Sequence, residues 1–222
     1  SFVLSSDTWT YSLNNGLAAV QALDVGQTLT DSITYTASNG SSTQTITVTI
    51  SGAEDAPVLG GVVIGTVAED GTQTASGALT ITDVDTNDNP VSFADVASTA
   101  GTNGYGSFVL SSGTWTYSLN NAAVQFLDAG QSATDSHTYT ATNGSTQTIT
   151  VTINGAEDAP VLGGVVIGTV AEDGTQTASG ALTITDVDTN DNPVSFADVA
   201  STAGSNGYGS FVLSSGTWTY SL

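Results

Sequence analysis

The chain repeats its own sequence, and this repeat constrains the fold more than any other feature. Residues 54–119 recur as residues 157–222 with a single difference, Thr102 in the first copy against Ser205 in the second. Self-similarity over a fixed period is typical of proteins built from one kind of unit arranged in series. The repeat therefore predicts several units of the same fold, each packed against its neighbours.

The unit boundary is predicted from a second, looser repeat. Residues 1–56 recur as residues 107–159, and the two copies differ in length only at loop positions, where insertions cost little. The sequence GAEDAPV, which contains Pro57 and Pro160, interrupts the strand-like pattern in each copy and is the predicted boundary. The chain then divides into the back half of one unit, a complete unit and the front half of a third: 1–56, 57–159 and 160–222.

A half unit is not expected to bury a core of its own. The chain has no Met, even at position 1, and we expect it to be a fragment or a processed piece. Neighbouring repeats of a longer tandem chain would then complete each half. The alternative is completion by neighbouring molecules, in which residues 160–222 of one copy pair with residues 14–56 of the next, head to tail.

Alternating polar and apolar residues predict strands along most of the chain. Trp9, Tyr11 and Leu13 share one face of a strand, and Asn39-Gly40 marks a tight hairpin between two further strands. Residues 17–27 are too short and too loosely patterned for more than a helical turn. Short strands separated by Gly, Asn and Pro turns predict an all-β protein made of antiparallel β-sandwiches.

An acidic loop is predicted to follow the most regular strand of the unit. Residues 76–82 alternate as a strand and run directly into Asp83 and the acidic residues after it. Pro90 ends that run. Residues 91–96 are then predicted to form another strand, which leads into a Gly, Thr and Asn loop that extends to Gly104.

The charge of the chain excludes several classes of partner. There are 21 acidic residues, no Lys or Arg and one His, which gives a formal net charge of −21. Nucleic acids and anionic membrane surfaces are bound mainly through Lys and Arg, so neither is an expected partner. No apolar run approaches the ~18 residues of a membrane span, so no membrane insertion is predicted. The apolar share of 39% also separates the chain from disordered acidic tails.

Acidic residues cluster at three places in each unit: beside the linker proline, in the AEDG turn, and after the strand at 76–82. Crowded carboxylates repel one another unless a cation lies between them. Since the chain has no basic side chain, we expect an external Ca²⁺, which prefers oxygen ligands. The alternative is a set of solvated turns, because Asp and Asn favour turns in any case. The candidate ligands are Glu54, Asp55, Glu69, Asp70, Asp83, Asp85, Asn87, Asp88, Glu157, Asp158, Glu172, Asp173, Asp186, Asp188, Asn190 and Asp191.

The order of motifs along the whole chain resembles the VCBS repeat. The motifs are EDGT, ASGALTITDVDTNDNPVSF, GYGSFVLSSGTWTYSLNN, TYTATNG, TITVTI and GAEDAPV. VCBS repeats are extender domains of giant bacterial adhesins, often of the RTX class. The resemblance implies tandem antiparallel Ig-like or cadherin-like β-sandwiches, bound Ca²⁺, and a secreted or cell-surface stalk that holds a binding domain away from a cell.

A narrower resemblance concerns the acidic loop alone. The sequence DTNDNPVSF, at residues 85–93 and 188–196, is similar to the calcium linker of animal cadherins. In cadherins this motif lies between domains, whereas the repeat period here places it inside a unit. The resemblance implies kinship of fold and no homophilic cadherin function.

Little in the sequence points to catalysis. His137 is the only imidazole, and its counterpart in the other copy is Ile33, so the position accepts an apolar residue. With no Cys and no second His, the chain lacks the side chains that a nucleophile–base dyad or a zinc site would need. Paired carboxylates are also used by glycosidases, but here the same pairs recur in every unit and lie at turns. The chain is predicted not to be an enzyme.

The aromatic residues have two possible uses. Trp9, Trp115 and Trp218 could form a platform for sugars, but each alternates with Tyr and Leu on one strand face, which favours a place in the core. Tyr105 and Tyr208 lie between glycines and are less clearly core residues.

The predicted function is that of a structural extender in an adhesin stalk active in cell adhesion or biofilms, stiffened by Ca²⁺ and contacting identical neighbouring repeats. One alternative is the subunit of an extracellular fibre, in which chains join head to tail as a homopolymer. A second alternative is a glycan-binding module that uses the loops around residues 99–105. The near identity of those loops to residues 202–208 favours a spacer, because neighbouring copies then need no distinct ligand specificity.

Overall fold

The computed structural model describes all residues, 1–222, and shows a nearly all-β chain, as predicted. The helical content is one short helix, α1 (Ala18–Gln21), and one 3₁₀ turn at Asn121–Ala123. The strands are β1 (Phe2–Ser5), β2 (Thr8–Tyr11), β3 (Thr28–Thr36), β4 (Thr43–Ser51), β5 (Val58–Gly61), β6 (Ile64–Ala68), β7 (Thr74–Thr82), β8 (Val96–Ala100), β9 (Gly106–Ser111), β10 (Thr114–Leu119), β11 (Ser132–Thr140), β12 (Thr146–Asn154), β13 (Val161–Gly164), β14 (Thr177–Thr185), β15 (Val199–Ala203), β16 (Ser210–Ser214) and β17 (Thr217–Ser221).

The central region, residues 57–159, is a β-sandwich. One sheet has five strands in the order β5-β7-β10-β9-β8, and the facing sheet has three in the order β11-β12-β6. All pairs are antiparallel except β12 with β6, which run parallel. The predicted antiparallel sandwich is confirmed. The parallel pairing of β6 at one edge was not predicted from the strand pattern.

The core lies between these two sheets. Inward-facing residues alternate along the strands, so each sheet presents one apolar face to the other. The fifteen buried residues of the core all belong to the central region: Val67, Leu79, Phe93, Phe108, Leu110, Trp115, Tyr117, Leu119, Val124, Leu127, Tyr139, Ala141, Ile149, Val151 and Ile153.

The regions on either side of the sandwich leave exposed much of the apolar surface that the central region buries. The N-terminal region, residues 1–56, consists of the hairpins β1-β2 and β3-β4. The C-terminal region, residues 160–222, forms one five-stranded sheet in the order β13-β14-β17-β16-β15. Phe108 in the sandwich is fully buried, whereas its counterpart Phe211 in the open sheet is 45% exposed.

One stretch of identical sequence adopts different backbone structure in its two copies. Residues 64–68 form β6, whose pairing with β12 runs from Ile64 opposite Thr150 to Ala68 opposite Asn154. Residues 167–171 have the same sequence but form no strand. They have no neighbour equivalent to β12 within the chain, so the local sequence is not sufficient to make this strand.

The prediction of a strand over residues 91–96 is wrong. Phe93 forms only an isolated bridge with Ala141, and the regular strand β8 begins at Val96 and extends into the stretch that was expected to be a loop. The backbone bonds of this segment go to another loop, since Thr142 N–H donates to Ser92 O at 2.9 Å. Its alternating Val and Phe therefore reflect packing of Phe93 into the core and not strand pairing.

The aromatic residues occupy the core where the sandwich is complete. Trp115 is fully buried, and its indole N–H donates to Val62 O at 2.6 Å, as the core prediction requires. Trp9 is 45% exposed, because its two-stranded sheet lacks the counterparts of β6 and β7 that lie beside Trp115. The ring of His137 lies 5.8 Å from that of Phe108 and 4.8 Å from that of Tyr139, measured between centroids. It therefore takes an apolar packing position.

Tyr105 and Tyr208 differ in burial although their local sequences match. Tyr105 packs against the core, with its ring centroid 6.3 Å from that of Phe126. Tyr208 is 75% exposed. The difference again follows the presence or absence of the covering residues.

Candidate metal centres at the two linkers

Two linkers join the three regions, and each lies between acidic loops. The first linker, residues 52–57, follows β4, and the second, residues 155–160, follows β12. At each linker the loop after the long strand of the next region turns back toward the preceding region. Thr86 Oγ1 donates to Ala22 O at 2.9 Å across the first linker, and Thr189 Oγ1 donates to Phe126 O at 2.8 Å across the second.

The first linker gathers carboxylates from three separate segments. Asp24, Glu54 and Asp85 each place a carboxylate oxygen within 4.8 Å of the others. Asp85 is fully buried, and its Oδ2 accepts the backbone N–H of Asp55 at 2.7 Å. Residues far apart in sequence therefore meet at one point, as Ca²⁺ coordination by several loops requires.

The second linker repeats this arrangement and adds to it. Asp128, Glu157 and Asp188 form the equivalent group, and Asp188 also forms a group with Asp186 and Asp191. Asp188 is fully buried, and its Oδ2 accepts the backbone N–H of Asp158 at 2.8 Å. Asp188 is thus shared by two groups of carboxylates.

Asparagine holds the acidic loop in shape. Asn89 Nδ2 donates to Asp83 O at 3.0 Å and to Asp85 O at 2.7 Å, and the backbone N–H of Asp85 donates to Asp83 Oδ1 at 3.1 Å. Asn192 makes the same two bonds in the next copy, at 3.1 and 2.7 Å. The amide therefore orients the carboxylates by bonding the backbone that carries them.

The AEDG turn of the central region reaches the second linker. Glu69 is 3% exposed, and its Oε2 accepts the backbone N–H of Ala156 at 3.1 Å, while Oε1 accepts Gln125 Nε2 at 2.9 Å. Asp70 is held beside it by Asn121, which accepts the backbone N–H of Asp70 at 3.0 Å. The first linker has no such turn beside it, because the N-terminal region contains no copy of the AEDG sequence.

The structure brings most of the sequence-predicted residues to the linkers. The residues beside the first linker are Glu54, Asp55, Asp83, Asp85 and Asp88, and those beside the second are Glu69, Asp70, Glu157, Asp158, Asp186, Asp188 and Asp191. Glu172 and Asp173 are exposed in their turn and belong to none of the carboxylate groups. Asn87 and Asn190 are exposed amides within the acidic loops.

Two residues of these groups were missing from the predicted set. Asp24 and Asp128 occupy the same position in the LDVGQ and LDAGQ sequences. Each lies alone in an otherwise uncharged segment, so no local cluster singled it out. Their recurrence in both copies was the available signal. Tertiary structure explains their role, since each lies beside the linker glutamate at its own junction.

Buried carboxylate oxygens at both linkers indicate whether the site suits a cation. Several carboxylate oxygens there are buried and have no hydrogen-bond partner, which is costly unless a positive charge lies beside them. They are Asp83 Oδ2, Asp85 Oδ1, Asp158 Oδ2, Asp186 Oδ2 and Asp188 Oδ1. Because the donor set is entirely carboxylate and the chain has no basic side chain, the residues present fit a hard divalent cation such as Ca²⁺.

A comparison with known protein families gives a match over the residues that form the sandwich. Residues 54–155 match the family model of the bacterial cadherin-like domain. The matched residues begin at Glu54 in the first linker and end at Gly155, the first residue of the second linker. No sequence among curated proteins matches the chain at a significant level.

Solved structures of cadherin-type and adhesin proteins resemble the chain at low identity. Protocadherin gamma B7 extracellular cadherin domains 1–4 match with 18% identity and a TM-score of 0.40, covering 100% of this chain and 55% of that one. A 1.5-MDa bacterial ice-binding adhesin matches with 16% identity and a TM-score of 0.30, covering 90% and 64%. A Ca²⁺-stabilized adhesin of an Antarctic bacterium matches with 14% identity and a TM-score of 0.22, covering 88% and 48%.

The chain spans about half the length of the protocadherin structure. Neither helical segment of the chain has the length and apolar character needed to cross a membrane.

Burial and neighbouring carboxyl groups raise the pKa of several acidic residues at the two linkers. A hydrogen bond to Asp24 raises the pKa of Glu54, and the charge of Asp88 adds to the effect. At the second linker a hydrogen bond to Asp128 raises the pKa of Glu157 in the same way. Burial raises the pKa of Asp158, with further contributions from nearby carboxylates. Without a cation, these sites therefore hold protons more strongly than isolated carboxyl groups.

These raised pKa values predict that, in chelator, acidification stabilises the folded chain. In chelator, Glu54, Glu157 and Asp158 bind more protons in the folded than in the unfolded state at pH values just above the ordinary carboxyl pKa of about 4. Lowering the pH from 7 into this range should therefore raise the melting temperature. In millimolar Ca²⁺ it should lower the melting temperature, because protons displace the cation.

The pH response is measured by thermal melts at constant ionic strength, with and without chelator. A melting temperature that falls with acidification in chelator as steeply as in Ca²⁺ would contradict the assignment of these groups to a cation site. Urea titrations at the same pH values provide an independent measure of the free energy of unfolding.

Proposed function

We propose that this chain is a Ca²⁺-stiffened extender segment of a secreted bacterial adhesin stalk. The observation that carries the proposal is the set of buried carboxylate oxygens without hydrogen-bond partners at both linkers. These oxygens lie in the second linker and in the loops that follow the two linkers. Asp24 and Asp128, which precede the linkers, join the same carboxylate groups, so one cation would bind two neighbouring units at once. The proposed role is mechanical: the chain provides reach and stiffness.

The proposed division into units follows the predicted boundaries. Residues 57–159 are a complete unit, residues 1–56 the back half of another and residues 160–222 the front half of a third. All fifteen residues of the core cluster lie between Val67 and Ile153, within the complete unit. In an array of such units each repeat contacts only its neighbours, which produces an extended rod.

Stiffness depends on the residues that hold the cation across the linker. At the second linker we assign this role to Glu69 and Asp128 from the complete unit, Glu157 and Asp158 from the linker, and Asp186, Asp188 and Asp191 from the following half. At the first linker Asp24, Glu54, Asp83, Asp85 and Asp88 take the corresponding positions. When bound, Ca²⁺ neutralises these carboxylates and supplies a common centre for segments that otherwise repel one another.

We further propose that the stalk is extracellular and that it belongs to an adhesin of the VCBS-repeat type. The motif order that resembles VCBS repeats, in adhesins often of the RTX class, runs through the whole chain, and residues 54–155 match a bacterial cadherin-like domain. Ca²⁺ sites of extracellular modules function at 10⁻⁴–10⁻³ M, which fits a stalk that is loose before export and stiffens outside the cell.

Calcium is expected to raise the melting temperature by about 5–10 °C. A site with a Kd of about 10⁻⁴ M that is filled to ~100 times that Kd adds about 2.7 kcal/mol to the free energy of unfolding, and each kcal/mol shifts the melting temperature of a chain of this size by about 2–4 °C. The measurement is a circular dichroism melt in about 10 mM Ca²⁺ and again in excess chelator. Equal melting temperatures, or the same rise in matched sodium chloride, would refute a structural Ca²⁺ site.

Two variants that each remove one negative charge test whether the calcium-induced rise in melting temperature depends on the linker carboxylates. Asp188→Asn removes the carboxylate shared by two groups at the second linker and should abolish most of the rise contributed by that linker. Asp7→Asn removes the same charge from an exposed hairpin turn away from both linkers and should leave the rise intact. Equal effects of the two variants would indicate general charge screening, in place of coordination.

A further inference from the structure

We propose that Asn121 and Gln125 are positioning residues of the cation site at the second linker, where their side-chain amides hold the carboxylates of Glu69 and Asp70 in place before the cation binds. The amides act through these carboxylates and not as ligands. Both residues are uncharged and lie outside the acidic clusters of the sequence. The inference rests on the proposed function, because it concerns the Ca²⁺ affinity of a site that the proposal assigns there.

The AEDG turn faces the carboxylates of the second linker at short range. Burial raises the pKa of Glu69, and the charges of Asp158 and Asp188 raise it further. Like charges in such proximity push the turn away from the linker unless other groups hold it in place. The chain has no Lys or Arg, so the N–H donors of neutral groups are the ones available for this purpose.

Gln125 donates to both acidic residues of the turn. Its Nε2 lies 2.9 Å from Glu69 Oε1 and 3.4 Å from Asp70 Oδ1, and a primary amide has two N–H groups, one for each oxygen. The positive end of the amide dipole therefore lies between two carboxylates that repel each other. Glu69 Oε2 accepts the backbone N–H of Ala156, so both oxygens of this side chain are fixed. Each of these oxygens has a second lone pair for a cation.

Asn121 fixes the backbone and the side chain of Asp70 together. Its Oδ1 accepts the backbone N–H of Asp70 at 3.0 Å, and its Nδ2 donates to Asp70 Oδ1. Asp70 has a φ of 51°, in the left-handed region that few residues other than glycine adopt. The reciprocal pair of hydrogen bonds stabilises this conformation and thereby fixes the direction in which the carboxylate points.

The core of the sandwich sets the positions of both amides. In the loop after β10, Asn121 and Gln125 flank Val124, which is fully buried in the core cluster. The start of this loop is tied down by Asn120, whose backbone N–H donates to Tyr105 O at 2.8 Å. The folded unit therefore holds the amides without help from the cation, which makes the site preorganised. Ligands fixed in this way lose less freedom when the cation binds, so binding is tighter.

Gln125→Met tests the assignment, because it keeps the size of the side chain and removes both N–H donors. All chains in the test also carry Asp85→Asn, which removes the buried carboxylate of the first linker, so that the remaining Ca²⁺ binding reports on the second. Isothermal titration calorimetry with CaCl₂ should give a Kd that is about 10–100-fold weaker for Gln125→Met, the usual effect of removing a group that orients metal ligands. The matched control is Gln21→Met in the other AAVQ sequence, which has no AEDG turn beside it and should keep the Kd unchanged.

A double-mutant cycle separates positioning from a general effect on the fold. Glu69→Gln removes the carboxylate through which Gln125 is proposed to act. Gln125→Met should therefore weaken Ca²⁺ binding much less in a chain that already carries Glu69→Gln, because residues that act through one another have non-additive effects. Equal fold-changes in the two backgrounds would show that Gln125 does not act through Glu69 and would overturn its assignment.

A second readout needs no cation. The backbone N–H of Asp70 bonds Asn121 Oδ1, so NMR in excess chelator should show slow hydrogen exchange at this amide. Asn121→Leu should speed that exchange by about 3–10-fold, as expected for the loss of one hydrogen bond, while the amides of β12 stay protected and show that the sandwich is still folded. Titrated with CaCl₂, the same variant should also bind Ca²⁺ more weakly.

The outcomes separate this assignment from the proposed function. Weaker Ca²⁺ binding by Gln125→Met, with faster exchange at Asp70 in Asn121→Leu, is the expected result. If the parent chain binds Ca²⁺ and Gln125→Met keeps its Kd, or loses no more affinity than Gln21→Met, the positioning role is overturned while the proposed function stands. Unchanged exchange at Asp70 in Asn121→Leu overturns the role of Asn121. An unmodified chain that binds no Ca²⁺ up to about 10 mM overturns the proposed function and the positioning role together.

Discussion

Replacing Trp115 with alanine is expected to lower the free energy of unfolding by about 3–5 kcal/mol, the usual cost of removing a large aromatic side chain from a packed core. Trp115 is fully buried between the two sheets, and its indole N–H bonds Val62 O at 2.6 Å. The substitution therefore removes packing on both sheets and leaves a carbonyl without its donor. Urea titration followed by circular dichroism measures the change.

The repeat provides a matched control for this substitution. Trp9 lies in the same TWTY sequence as Trp115 but is 45% exposed in the N-terminal hairpin. Trp9→Ala should cost about 1 kcal/mol or less, as substitutions on open surfaces generally do. Equal losses for the two variants would show that the sandwich of the central region does not hold the principal core of the chain.

Replacing Asp135 with alanine is expected to lower the free energy of unfolding by about 2–5 kcal/mol. The carboxylate accepts backbone N–H groups from Asn103 and Gly106 and the hydroxyl of Tyr117, so its removal leaves several donors without partners, at about 1–3 kcal/mol for each one that stays buried. A Cβ on Gly101 would come within 2.2 Å of this carboxylate, which shows how closely the loop surrounds it.

Asp31→Ala serves as the control for Asp135. Asp31 has the same sequence neighbours, Thr and Ser, but is exposed and accepts none of the backbone hydrogen bonds that Asp135 accepts. Its substitution should therefore change the free energy of unfolding by less than about 1 kcal/mol. A loss as small for Asp135→Ala would mean that the carboxylate does not join the two sheets.

The Asp135 interaction also predicts a spectroscopic change. Burial raises the pKa of Tyr117 far above its ordinary value, and the charge of Asp135 raises it further. Tyr117 should therefore ionise at lower pH in Asp135→Ala than in the unmodified chain, provided that the variant remains folded. Ultraviolet absorbance of phenolate during an alkaline titration measures this directly.

Much of the fold follows from local sequence. The alternation of apolar and polar residues in TITVTI and TWTYSL fixes which side chains face inward, because successive strand residues point to opposite faces. The Asn-Gly and Ser-Ser turns set the hairpins, and the absence of a helical period excludes long helices. The acidic loops were recognisable for a similar reason, since their carboxylates are adjacent in the sequence.

Other features depended on contacts between distant residues. Asp24 and Asp128 belong to the candidate metal groups only because the chain folds back to the linkers. The segment 91–96 has the alternation of a strand, yet Phe93 turns into the core and pairs at a single bridge with Ala141. Neither feature can be predicted from the local sequence pattern, because each depends on the position of another segment in the folded chain.

The two copies of IGTVA separate what sequence determines from what tertiary structure decides. Residues 64–68 and 167–171 are identical, with the same apolar pattern and the same flanking residues. Only the first copy forms a strand, because β12 lies beside it and pairs with its backbone. Sequence alone determined the kind of unit, its repeat and the positions of its acidic turns. Tertiary structure decided which copies of that sequence are paired and buried, since an edge strand forms only where a partner strand satisfies its backbone groups.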